Sequence, residues 1–90
     1  MDLGKTEQFD EDYLSLSAED RRRVDATIEK LAANPSLPGL RLRKLSGEVD
    51  ALGRAIWYCR VSDSMRLTCI REGDFLLLRR VGHHSILVSP

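Results

Sequence analysis

Ninety residues with 42% apolar and 31% charged side chains suit one small globular domain whose core leaves a modest stability margin. No apolar run approaches the roughly 20 residues of a membrane helix. The acidic, polar opening MDLGKTEQFDEDY lacks the pattern of an export signal, so a cytoplasmic protein without a membrane partner is expected. The 14 basic and 14 acidic side chains cancel, yet they segregate: residues 1–39 hold nine acids and five bases, residues 40–81 five acids and nine bases. That polarity fits either an anion-facing surface or ordinary surface charge that happened to separate.

In chain order, residues 2–7 allow a short edge strand. Phe9, Tyr13 and Leu16 recur at helical spacing and predict a first short helix. Ser17 is placed to cap a second helix, with Asp20 where a capping box holds Glu or Gln. Val24, Ile28 and Leu31 give that helix one apolar stripe, with Arg21, Arg22, Asp25 and Glu29 on its other face. Asn34-Pro35 ends it, because the residue before proline avoids helical dihedrals, and Pro38-Gly39 marks a turn. Residues 40–54 are irregular and read as a loop or frayed strand.

The remainder alternates as strands do. Ala55, Trp57, Cys59 and Val61 interleave with Ile56, Tyr58 and Arg60; after Ser62-Asp63-Ser64, Met65, Leu67 and Cys69 interleave with Arg66, Thr68 and Ile70. A further turn at Glu72-Gly73 leads into Phe75–Leu78. These segments predict a three-stranded antiparallel meander whose core face, with Trp57, Leu67 and Leu78, covers Phe9, Val24, Ile28 and Leu31. The class is α+β: an N-terminal helical hairpin packed on a small antiparallel sheet, one domain over 1–90.

A hairpin loop at Ser62–Ser64 sets Arg60 opposite Arg66. If residues 71–74 form the next loop, Arg66 also opposes Arg79, and three arginines line the face away from the core. Like charges directly opposed are destabilising, so such a row points to a neutralising anion. The alternative is that each arginine reaches separately for water or for Asp63, Glu72 or Asp74. Beyond the last strand stand His83 and His84, able in principle to move protons. Neither they nor Cys59 and Cys69 have metal-ligand spacing, so no metal is expected and the cysteines read as reduced core residues.

The stretches LAANPSLPGLRLRKLSG and WYCRVSDSMRLTCIREGDFLLLRRVGHHSIL resemble the RelE/ParE superfamily of bacterial toxins over residues 9–87. The resemblance is carried by Leu42–Gly47, by Arg60-Val61 and Arg66-Leu67 across a short turn, and by Val81–His84. It implies a toxin of a type II toxin–antitoxin system with the α+β fold of that family. It further implies a ribosome-dependent endoribonuclease that cuts messenger RNA and needs no cofactor. Its partners would be a cognate antitoxin, mRNA and the ribosome, with the oligomeric state set by the antitoxin complex. Arg66 and His84 match the family's active-site positions, Arg60 the arginine before the turn, and His83 stands in reserve. Arg41, Arg43, Lys44, Arg79 and Arg80 are the expected RNA-binding residues. The stretch Ser85–Pro90 holds no tyrosine, which RNA-cutting members often carry there, and Trp57 and Cys59 stand where some members have lysines. A gyrase-inhibiting toxin of the ParE kind, and a relative that only binds a partner, are the alternative functions.

Overall fold

The computed structural model describes residues 1–90. Strand β1 (Asp2–Lys5) leads into helices α1 (Glu7–Leu14) and α2 (Ala18–Ala33) and a 3-10 turn at Pro38–Leu40. Strands β2 (Arg43–Val49), β3 (Ala55–Arg60), β4 (Met65–Glu72) and β5 (Phe75–His83) follow, and the chain closes with a 3-10 segment, His84–Val88. The sheet runs β1-β5-β4-β3-β2. The helices therefore carry the chain from one edge of the sheet to the other, and the meander walks back until β5 lies parallel to β1. No helix is long and apolar enough to cross a membrane.

Both helix starts are capped from the side chain. Thr6 accepts from the Phe9 amide at 3.0 Å, and Ser17 accepts from the Asp20 amide at 3.1 Å, each satisfying an orphan donor of a first turn. Phe9, Val24 and Leu31 face inward and join Cys59, Met65, Leu67, Cys69, Leu76, Leu78 and Val81 in one buried cluster. Trp57 and Ile28 pack against its margin and stay partly exposed, so the expected burial of Leu67 and Leu78 holds while that of Trp57 is incomplete. Cys59 and Cys69 are free and buried, and burial pushes both thiols up to about 12, which keeps them protonated and inert.

Three expectations need correction. The segment read as a loop or frayed strand contains β2, whose pairing with β3 is interrupted between Lys44 and Val49. The sheet is mixed rather than antiparallel, because β1 adds a parallel edge. The loop between β4 and β5 is shorter than four residues: Glu72 pairs with Phe75, leaving only Gly73 and Asp74 between them. Gly73 has φ +55°, the left-handed value a two-residue hairpin turn requires and glycine adopts without cost. A bulge between Thr68 and Cys69 shifts the register again. Arg66 consequently faces Gly82, not Arg79, and the row of three arginines does not form.

The sheet is covered on both sides. The residues that alternate with the core set, Ile56, Thr68 and Ile70, are buried on the second face. The chain's last residues pack there: Ile86 is buried, and Thr68 donates from Oγ1 to the Pro90 carbonyl at 2.9 Å. A Cβ at Gly82 would stand 3.0 Å from Ile86, so glycine at 82 lets this segment lie close to the sheet.

One ion pair ties the helical layer to β5. Asp12 accepts from Arg80 at 3.0 Å through both Nε and Nη2, and from the Val81 amide at 3.2 Å. Burial alone would raise the Asp12 carboxyl, but the hydrogen bonds from Arg80, Gln8 and Val81 outweigh it and hold the group below its ordinary value. A depressed carboxyl contributes stability above its unfolded pKa, and the contribution is lost as pH falls through the folded value. Asp12→Asn should therefore cost roughly 1.5–3 kcal/mol at neutral pH, the worth of a hydrogen bond to a charged group. It should also flatten the loss of stability between about pH 5 and pH 2. Melting curves of both proteins across that range test this; parallel pH profiles would show the pair contributes nothing.

Candidate functional site

The second face of the sheet opens, beyond the segment that covers it, into a cleft of about 110 Å³ lined by Arg41, Arg43, Tyr58, Arg60 and Arg66. Its geometry follows from the pleat. Arg43 pairs with Tyr58 and Arg60 with Arg66, and residues paired directly across a sheet share a face. Arg41 arrives by a different route. It ends the Pro38–Leu40 turn with φ 51° and ψ 47°, a left-handed conformation that costs a non-glycine residue roughly 1–2 kcal/mol. That strained residue turns the chain into β2, and its side chain lines the cleft. No carboxylate is among the five residues lining the cleft.

The turn between β3 and β4 organises one rim. Arg66 donates through Nη1 to the carbonyls of Ser62 at 2.6 Å, Met65 at 2.9 Å and, at 3.4 Å, Asp63. Its Nε and Nη2 hydrogen-bond to no protein group, so one edge of the guanidinium is anchored and the other is free to fork onto an anion. Arg60 forms an ion pair with the Asp63 carboxylate, as the alternative reading of the arginines anticipated for that residue. His84 Nε2 lies 2.9 Å from the Asp63 carbonyl. A carbonyl can only accept, so Nε2 donates in this contact and Nδ1 is the ring nitrogen left without a protein partner. His84 and Arg66 thus meet at the same backbone oxygen.

By sequence no protein-family model and no curated protein matches the chain. Solved structures do match it. A copper-bound mutant toxin from Helicobacter pylori superposes with TM-score 0.71 at 24% identity, over 94% of this chain and 96% of that one. A chain of the RelB-RelE antitoxin-toxin complex from Methanococcus jannaschii gives 0.70 at 21% identity, over 96% of this chain and 95% of that one. A chain of the Escherichia coli DinJ-YafQ complex gives 0.74 at 20% identity, over 96% of each. The chain has the RelE/ParE toxin fold.

Within this RelE/ParE fold the expected site residues fall into three places. Arg41, Arg43, Arg60 and Arg66 converge on the cleft, with His84 at its rim. Lys44 does not: it pairs with Trp57 and therefore sits on the helix side, 5.6 Å above that indole, with Arg71 5.8 Å from the same ring. His83 pairs with buried Met65 and is likewise on the helix side, exposed at the strand end. Arg79 and Arg80 line a separate groove of about 550 Å³ beside Ser89 and Pro90, where Arg79 Nε donates to Pro90 at 3.3 Å and Arg80 is held by Asp12. Tyr58 is the cleft residue that the sequence reading left out, although its alternation with Cys59 already set it on the face of Arg60.

Proposed function

We propose that the protein is the toxin of a toxin–antitoxin pair and cleaves messenger RNA at the ribosome. The observation that carries this reading is the cleft itself, with four arginines and a tyrosine around a space the size of a phosphate group and no acid in its lining. The fold adds support, because the similar chains from M. jannaschii and E. coli were solved in complexes named as antitoxin with toxin, or with a second protein. An antitoxin partner is part of the proposal.

The chemistry follows from the groups present. The substrate 2′-hydroxyl attacks the adjacent phosphorus; the P–O2′ bond forms, the P–O5′ bond breaks, and the products are a 2′,3′-cyclic phosphate and a 5′-hydroxyl. One proton leaves the 2′-oxygen and one is delivered to the 5′-oxygen, so the balance needs no further reactant. The free edge of Arg66 is assigned to the phosphorane, where fixed positive charge contributes most. Nδ1 of His84 is assigned one proton transfer, and the hydroxyl of Tyr58, which lines the cleft, is assigned the other. Arg41 and Arg43 hold the flanking backbone, giving affinity without sequence choice.

The test is addition of the purified protein to a translation extract, with the message ends mapped. Cuts that end in cyclic phosphate, and vanish when a 2′-deoxynucleotide replaces the cut residue, are the expected result. A supercoiling assay with DNA gyrase runs in parallel. Intact message together with inhibited gyrase would overturn the nuclease in favour of the ParE-like activity; intact message and active gyrase would leave a binding protein only.

A further inference from the structure

We infer that a second groove, beside the arginine cleft, is a subsite for one nucleobase of the RNA; the inference rests on the nuclease reading above and deepens it. The groove has a volume of about 340 Å³ and lies between the last turns of α2, the Pro38–Leu40 turn and the end of β3. Leu37, Pro38, Leu40 and Val61 form apolar walls, and Lys30 and Arg60 are its two charged groups.

Three observations assign it to a base. First, Arg60 lines both this groove and the arginine cleft. A phosphate held in the cleft therefore has its neighbouring nucleotide at the mouth of the groove. Second, the charged lining is cationic only. A nucleobase offers apolar faces to the walls and acceptor edges to Lys30, and Arg60 can stack on the ring or hold the adjoining phosphate. Third, the size is at the lower end of small-molecule pockets, about 300–1,000 Å³, enough for one splayed nucleotide and too little for a folded segment. Leu37 stays 37% exposed at the lip, so an apolar surface stands open where a stacked base would cover it.

Gly39 provides the experiment. It lines the groove, a Cβ there meets no atom within 4 Å, and its φ is not in the left-handed range, so a bulky side chain can be introduced beside the groove without strain. The substrates are RNAs carrying a single abasic residue on one side or the other of the cut phosphate, compared with intact RNA, with ribosomes present. For the unmodified protein, kcat/KM should fall roughly tenfold to hundredfold for one of the two abasic positions, the worth of one stacked base. Gly39→Trp should lower intact RNA to the abasic level and erase the difference. Val88→Ala, outside both the groove and the arginine cleft, should keep it, with melting temperatures of all three proteins alike. Equal cleavage of intact and both abasic RNAs by the unmodified protein would overturn the subsite and leave the nuclease standing. So would a Gly39→Trp protein that keeps its base dependence, or one that cuts RNA normally and no longer binds an antitoxin. If no RNA is cut, binding of the same set with a 2′-deoxy residue at the cut position decides. Base-dependent binding there retains the subsite and rejects the cleavage; base-independent or absent binding rejects the subsite.

Discussion

Arg66→Ala should cut the single-turnover cleavage of ribosome-bound message by roughly 10²–10³-fold, the loss typical of one preorganised donor to a developing negative charge. The residue is placed for this by two separate features. Its partner across β3 is Arg60, and the two side chains line a cleft whose lining holds no carboxylate. Three backbone carbonyls of the turn hold Nη1, so the free edge needs no reorganisation to receive a phosphate. Arg66→Lys should recover only part of the rate, since an ammonium supplies a point charge and no fork. The effect on stability should be small. Losing the bonds to the turn costs about 1 kcal/mol, and removing one of two opposed cations returns a similar amount. Cleavage rates and thermal melts of the three proteins check this. Full activity of Arg66→Ala removes the residue from the mechanism, and loss of activity together with unfolding makes it a structural residue.

Leu67→Ala should have the largest effect on folding, about 2–5 kcal/mol. Leu67 is fully buried at the centre of the sheet, paired with Cys59 on one side and Val81 on the other, both also buried. The surrounding strands are hydrogen-bonded and the helical layer lies above them, so the space vacated cannot collapse. In a domain whose whole stability is on the order of 5–15 kcal/mol, this is a large share. At roughly 4–8 °C per kcal/mol for a chain of this length, the melting temperature should fall by about 8 °C or more. Val88→Ala is the control: Val88 is 82% exposed, and the change should stay within about 0.5 kcal/mol. Equal melting of the two variants would mean the core is packed elsewhere.

The sequence by itself determined the helical hairpin, its Ser17 cap, the β3–β4 hairpin and the shared face of Arg60 and Arg66. All of these rest on local periods and on a turn that joins neighbouring segments, and local geometry leaves little choice there. Alternation also sets Tyr58 on the face of Arg60 and Arg66. What tertiary structure decided are the matters of register and of distance along the chain. A two-residue turn at Gly73-Asp74 and a bulge at Thr68 moved Arg79 away from Arg66, and a bulged strand has no period to read. The irregular pairing of β2 left its segment between loop and frayed strand and concealed the side on which Lys44 emerges. The pair of Asp12 with Arg80 joins residues 68 positions apart, and it exists only because α1 lies on β5. The cleft likewise needs Arg41, brought in by one left-handed residue, to meet side chains from three strands. Such choices turn on small energy differences between whole packings, which no window of sequence contains.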